Sequence, residues 1–272
     1  MSMDWQGRTG ASWATEWRRT DRMFAGVTER LLMRSRDFTF QQVLDVGCGA
    51  GELSLALARG RPGVDVVGID ISPQLIDAAR GRASHLPNVR FEVADATRWR
   101  RAEDFTPNLL ISRHGMMFFD DPTAAFVHLH DVAAEGAGLL FSCFRGAEVN
   151  EMMAGVAALL PPPAEAPHPH APGPLAFADP DYVRPILENA GWREVTFQAQ
   201  DFAMVVGAGS DPLSDALDFF STIGPLAEAV STMEEAERAG LLERLKSMLE
   251  PRIYHGAIAL RGGGWIVSAR RD

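Results

Sequence analysis

The stretch VLDVGCGAG, from Val43 to Gly51, constrains this chain more than any other. Val43, Leu44 and Val46 form a β-rich apolar run that three glycines at alternate positions then break, and ELSLALARG, from Glu52 to Gly60, follows with helical character. That order predicts a strand, a tight turn and a helix. Gly47, Gly49 and Gly51 leave the turn without Cβ atoms, so a ligand can lie directly against the main chain. The helix directs its free N–H groups and positive dipole end at the same place, which suits a carboxylate or a hydroxyl-rich ligand. A small polar ligand is expected there.

The spacing is G-x-G-x-G, with Asp45 two residues before the first glycine. A dinucleotide fingerprint has G-x-G-x-x-G instead, because its third glycine serves helix packing beside a pyrophosphate. The segment resembles the first motif, D/E-x-G-x-G-x-G, of class I S-adenosylmethionine-dependent methyltransferases. VVGIDIS, Val66 to Ser72, resembles that family's second strand, whose terminal acid, here Asp70, is implied to grip both ribose hydroxyls. FEVADA, Phe91 to Ala96, resembles the third, which ends in the Asp95-Ala96 pair implied to face the adenine. Further along, GPLAFADPDYVRPILENAGWREVTF, from Gly173, is similar to small-molecule methyltransferases of the bacterial type 11 and type 25 groups.

The resemblance implies an α/β fold with a doubly wound, Rossmann-like, seven-stranded sheet, and S-adenosyl-L-methionine as cofactor. It implies a cofactor site made of Asp45, Gly47, Cys48, Gly49, Gly51, Asp70, Ile71, Asp95, Ala96, Ser112 and Arg113. The expected organisation is one methyltransferase domain over residues 1–272. An N-terminal helical cover (1–36) precedes a cofactor-binding core (37–145), and a substrate-side half (146–272) carries a helical lid insertion (211–250).

Composition narrows the partners. At 272 residues the chain is long enough to bury a full core. Lys and Arg number 26 against 36 Asp and Glu, a formal net charge of -10, which argues against a nucleic-acid acceptor because phosphates need a basic surface. A small-molecule acceptor is expected, with a homodimer as an open alternative to a monomer. Neither the N-terminus nor any later run reads as a signal or membrane span, so no membrane partner and a cytoplasmic location are expected. The two cysteines, Cys48 and Cys143, suit buried thiols in a reducing compartment. Cys48 lies inside the glycine turn, where a small packed residue is favoured over a nucleophile.

Along the chain, Trp13, Trp17, Phe24, Val27 and Leu31 recur at helical spacing and predict one amphipathic helix from Ser12 to Arg34. It either closes over the cofactor cleft or covers the sheet edge. Strands are predicted at Asp65–Ile71, Val89–Val93, Asn108–Ser112 and Gly138–Phe144, with helices opened by Ser72-Pro73 and by Asp121-Pro122. Trp99 fits either a stack near the purine or core packing. The fourth strand emerges as SRHGMMFF, where open α/β sheets place ligands. His114 is the candidate catalytic residue there, as a general base, with a structural histidine bonded to a loop carbonyl as the alternative.

Residues 146–160 read as helical, Pro161–Pro174 as a surface loop, and His168 and His170 within it as solvated residues and not metal ligands. A helix from Asp179-Pro180 and a long strand from Trp192 to Val206 follow. The helices between Asp211 and Glu250 interrupt the hairpin that such a fold makes last, and they are expected to roof the acceptor pocket or to form a dimer contact. Gly262-Gly263-Gly264 is read as a turn before a final strand, Trp265–Ala269, with Tyr254 and His255 near the foot of the inserted helices.

The reaction expected is metal-independent methyl transfer to a small apolar or aromatic metabolite. A nicotinamide-dependent reductase shares the sheet but not the glycine spacing. A metal-dependent catechol-type enzyme would want carboxylates where Ser112, Arg113 and His114 stand. A non-catalytic S-adenosylmethionine-binding protein is the alternative of another class.

Overall fold

Strands that are apolar on both faces must be covered on both faces, and the alternating order of elements provides that cover. The computed structural model describes residues 4–162 and 168–272. Three short helices come first, α1 (Arg8–Thr15), α2 (Trp17–Met23) and α3 (Ala25–Arg34). The core then alternates β1 (Gln42–Val46), α4 (Glu52–Gly60), β2 (Asp65–Asp70), α5 (Pro73–Ala83), β3 (Val89–Val93), β4 (Leu109–Arg113), α6 (Pro122–Val132) and β5 (Gly138–Phe144). Every residue of β5 is buried, as are Val43, Leu44 and Val46 of β1.

Ser72 caps α5 by accepting from Leu75 N–H, and Asp121 caps α6 by accepting from Ala124 N–H. Both helices carry proline in the first turn, where its missing N–H costs nothing. The second half comprises α7 (Glu151–Leu159), α8 (Pro180–Asn189), β6 (Trp192–Ala208), α9 (Pro212–Thr222), α10 (Gly224–Thr232), α11 (Glu235–Leu249), the two-residue β7 (Ile253–Tyr254) and β8 (Ala257–Arg271).

The strands form one sheet in the order β3-β2-β1-β4-β5-β8-β6, with β7 paired to β8. β1 to β5 are parallel, and β8 lies antiparallel between β5 and β6. This is the expected doubly wound sheet with eight strands and not seven, because the short β7 adds to β8, and helices α9 to α11 lie between its last two long strands. The strand order reverses between β1 and β4, so the loops at their carboxyl ends diverge and open a crevice.

Two expectations are corrected. The N-terminal stripe is three helices, because backbone angles at Glu16 and Phe24 leave the helical region and let the apolar face bend around the sheet. Gly262-Gly263-Gly264 is not a turn but the middle of β8. A Cβ on Gly262 would meet the Phe202 ring and Met204, and one on Gly263 would meet Val149, so these glycines make room for neighbours on other elements. The reversal comes earlier, at His255-Gly256, both with positive φ as a two-residue hairpin requires. The predicted loop Pro161–Pro174 lies in part, at 163–167, outside the described residues.

Candidate functional site

The turn between β1 and α4 is the floor of the crevice. Gly47 (φ 65°) and Gly49 (φ 56°) occupy the left-handed region, where a side chain is strained. A Cβ on Gly47 would lie 2.8 Å from Gly115 Cα, so the β1 and β4 loops touch there, while the space above Gly49 is open. Asp70, at the end of β2, braces the turn: its Oδ2 accepts from Gly49 N–H (2.9 Å) and its Oδ1 from Ser72 N–H (2.9 Å). Burial raises the Asp70 carboxyl above its ordinary range, and the N–H groups of Ser72, Gly49 and Ile71 oppose that rise. Each oxygen has one more lone pair to offer a ligand hydroxyl.

Asp45 sits one layer deeper, 1% exposed. Its Oδ2 accepts from Ser54 Oγ at 2.6 Å, while Oδ1 has no partner. Burial pushes its pKa up to about 7, against the pull of the Ser54 hydroxyl and of Arg113. A buried carboxylate oxygen without a donor is costly, and a cationic ligand group would remove that cost. Cys48 is buried beside it. Burial, with Asp45 and Asp70 nearby, pushes the thiol pKa well up, so it packs as a thiol and is no nucleophile.

At the exit of β4 the chain turns through His114, a non-glycine residue at φ 60°. Its ring stacks on Phe144 (centroids 4.3 Å apart, planes 5° apart) and meets Phe24 edge-on at 5.1 Å. Nδ1 lies 3.4 Å from Ser142 Oγ, and Nε2 is buried with no partner. Burial, helped by the Arg113 charge, lowers its pKa to about 3, so the ring is neutral. Arg113 itself is committed to the N-terminal cover: it donates to Asp21 Oδ1 (3.0 Å) and Thr28 Oγ1 (2.9 Å). Asp21 Oδ2 also lies 2.9 Å from Arg82, which pairs with Glu52 at 2.6 Å and stacks on Trp17. These ion pairs hold α2 across the crevice.

The inserted helices are tied to the same cover. Asp215 of α9 pairs with Arg19 and Arg22 of α2, each at 2.7 Å. Burial would raise the Asp215 carboxyl, but Ala208 N–H and the two guanidinium groups hold it below its ordinary value. Together these elements enclose a cleft of about 1490 Å³. Its inner end is lined by the glycine turn, Asp70, Ile71, Asp95 and Ala96; its outer walls include Phe144, Met152, Met153, Phe219, Phe220 and Leu226. The lining carries seven aspartates (4, 21, 45, 70, 95, 120 and 121) against two arginines, Arg98 and Arg113. Arg98 lies 3.6 Å from Asp95. Such a field attracts a cation and repels an anion.

Of the residues singled out from sequence, Asp45, Gly47, Cys48, Gly49, Asp70, Ile71, Asp95, Ala96, Arg113 and His114 line this one cleft. Gly51 and Ser112 do not. Gly51 is the N-cap residue of α4 and packs under Phe91, and Ser112 is wholly buried, donating to Val46 O (2.6 Å) and accepting from Gly115 N–H (3.1 Å), so it ties the two loops together from behind. Trp99 resolves to core packing: its Nε1 donates to Glu92 (2.8 Å) and its ring meets Phe105. His170 stacks on Tyr182. Tyr254 is 76% exposed on the hairpin, away from the cleft. Sequence reading missed Trp5, Leu53 and Met117 as lining residues. The apolar spacing of α7, with Met152 and Met153, was the available signal for the outer wall.

Residues 43–136 match the family model described as "Methyltransferase domain". Over those residues the chain is similar to methyltransferase domains. Over 119 residues it is 27% identical to malonyl-[acyl-carrier protein] O-methyltransferase 1 of Ilyobacter polytropus, covering 44% of this chain and 44% of that one. The chain therefore spans less than half the length of that curated relative. By fold, the chain superposes on the YcgJ protein of Bacillus subtilis with a TM-score of 0.57 at 15% identity, covering 90% of this chain and 98% of the other. It also superposes on Haemonchus contortus phosphoethanolamine N-methyltransferase 2, solved with phosphomonomethylethanolamine and S-adenosylhomocysteine, with a TM-score of 0.54 at 16% identity, covering 96% and 56%. No helix among the described residues is long and apolar enough to cross a membrane.

Proposed function

We propose that this protein transfers the methyl group of S-adenosylmethionine to a small, largely apolar or aromatic acceptor without a divalent metal. The observation that carries the reading is one cleft whose inner end holds the glycine turn and the two acids Asp45 and Asp70, and whose outer walls are apolar. The residues suit that cofactor. Asp70 keeps lone pairs for two ribose hydroxyls, Asp95, whose Oδ1 accepts from Thr97 N–H and Oγ1 and whose Oδ2 lies 3.6 Å from Arg98, offers its remaining lone pair to the adenine amino group, and the orphaned Asp45 Oδ1 answers a cationic amino group. When bound, the cofactor supplies a methyl group on a sulfonium, which is already a good leaving group.

The chain's work is then alignment and exclusion of water. Arg113, through Asp21, keeps α2 over the cleft, and Phe219 and Phe220 of α9 close the outer side. The exit of β4 presents Arg113 and His114 and not a set of carboxylates, which supports a metal-free reaction. In this reading His114 is the candidate base for an acceptor proton, and the neutral ring with its unpartnered Nε2 is what supports it. The test is formation of S-adenosylhomocysteine in the presence of a panel of phenols, amines, acids and quinone-like metabolites. Turnover with an apolar member supports the reading; binding of the cofactor with no turnover for any member favours a non-catalytic binding protein.

A further inference from the structure

Resting on that reading, we infer that the acceptor is a sizeable apolar molecule without an anionic group, and that Asp21 sets this choice by cancelling the charge of Arg113 on the cleft wall. Two observations carry it. The first is room and polarity. The cleft, at about 1490 Å³, exceeds the roughly 300 to 1,000 Å³ of a single-ligand pocket, so an acceptor of several rings fits beside the cofactor. Its outer walls, with Met152, Met153, Phe219 and Phe220, favour apolar area and offer no charge.

The second is where the cleft keeps its positive charge. Among the described residues, the lining has seven aspartates, two arginines and no lysine. Arg98 is a surface side chain, 84% exposed and 3.6 Å from Asp95. Arg113 is the cation set into the wall, its side chain 15% exposed. It leaves the end of β4 and crosses to the N-terminal cover, where Nη2 donates to Asp21 Oδ1 (3.0 Å) and Nη1 to Thr28 Oγ1 (2.9 Å), with the guanidinium carbon 5.6 Å from the centre of the Phe24 ring. Phe24 in turn packs on Phe144 of the outer wall, centroids 6.0 Å apart, so Arg113 stands where the cofactor end meets the acceptor side. An anionic acceptor needs this guanidinium, and Asp21 already holds it. A carboxylate entering there meets a neutral pair and a surplus of aspartates. The histidines of the lining leave that balance unchanged: His114 is buried and neutral, and His168 lies exposed on the outer loop with its Nδ1 accepting from His170 N–H.

The test uses the full chain saturated with S-adenosylhomocysteine and calorimetric binding of three naphthalenes of one shape and different charge, 2-naphthoate, 2-naphthamide and 2-naphthamidine. A larger neutral probe, 1-pyrenecarboxamide, reads the room. The wild-type protein should bind the amide and the amidine each about tenfold or more tighter than the carboxylate, and the pyrene amide tighter than the naphthalene amide. Asp21→Asn keeps the shape of the side chain and removes its charge, so it should bind 2-naphthoate about tenfold tighter than the wild type does, while 2-naphthamide changes by less than about twofold. Asp215→Asn removes a charge from the other ion pairs that hold α2 but lies outside the cleft lining, so it loosens the cover without freeing Arg113 and should leave the carboxylate-to-amide ratio where it is. Naphthoate bound as tightly as either isostere, no binding of either neutral probe, or a pyrene amide bound more weakly than naphthamide overturns the acceptor class. A ratio unmoved in Asp21→Asn, or moved equally by Asp215→Asn, makes Asp21 a structural support and overturns its role. The wild-type series decides the class even where a variant does not fold, and Asp21→Ser repeats the charge removal in that case. Failure of the wild type to bind S-adenosylhomocysteine at all sinks the underlying reading instead.

Discussion

Asp45→Asn should stabilise the empty protein and disable it, and the stabilisation should depend on pH. The Asp45 carboxyl is held at about 7 in the fold against 3.8 when unfolded, chiefly because it is buried. The sign follows from linkage: an acid with a raised folded pKa binds its proton more tightly when native, so stability falls as pH rises from 3.8 and levels off above about 7. Between pH 5.5 and 8.5 the wild type loses about 1.5 units' worth of this preference, roughly 2 kcal/mol at 1.36 kcal/mol per unit. Asparagine is neutral throughout and keeps an oxygen for the Ser54 hydroxyl. Effects of groups remote from Asp45 are common to both proteins and cancel in the comparison. Thermal unfolding of the two at both pH values should therefore show a Tm gap, variant minus wild type, that widens by about 4 to 8 °C at pH 8.5. S-adenosylmethionine affinity should drop in the same variant, since the oxygen that answers the cationic amino group is no longer charged. A Tm gap that is equal at both pH values, or that narrows at pH 8.5, would refute the assignment of a strained, proton-holding carboxyl at this position.

Three further outcomes are expected. Asp70→Ala should weaken S-adenosylhomocysteine binding by about tenfold or more by calorimetry, as loss of charge-assisted hydrogen bonds to hydroxyls requires; because Asp70 also accepts from Gly49 and Ser72 N–H, a lower Tm should accompany it. Turnover should survive EDTA, and an activity lost to the chelator and restored by magnesium would favour a catechol-type mechanism. Phe220→Ala should raise the acceptor KM several-fold with the cofactor Kd unchanged, since Phe220 lines the outer wall; equal losses for both ligands would make α9 a structural support and not an acceptor wall. Point changes are cleaner here than deleting residues 211–250, because Asp215 anchors Arg19 and Arg22 of the N-terminal cover and the deletion would release both.

How much of this was legible in the sequence follows from how local each feature is. The β1–turn–α4 unit and the acids at Asp70 and Asp95 read directly, because apolar alternation, glycine spacing and strand-end position are properties of a few adjacent residues. The caps at Ser72 and Asp121 read for the same reason. Gly262-Gly263-Gly264 misled, because glycine also answers crowding, and the crowding comes from Phe202, Met204 and Val149 on other elements. At Ser112 the strand-end position was legible, but not that its hydroxyl is bonded to Val46 O of the neighbouring strand. The break of the N-terminal stripe into three helices carried no proline signal, since curvature around the sheet sets it. His114 was legible as a titratable group at a strand end, but not as a ring pressed against Phe144, thirty residues later, which decides its charge.

The glycine turn with Asp45, Asp70 and Asp95 is proposed to form a site for S-adenosylmethionine. Titration calorimetry of the intact chain with S-adenosylmethionine, S-adenosylhomocysteine, NAD and NADP tests it most directly. One site per chain is expected for the first two, with no binding heat for the nicotinamide cofactors. Saturable NAD or NADP binding, with none for S-adenosylmethionine or its demethylated product, would contradict it.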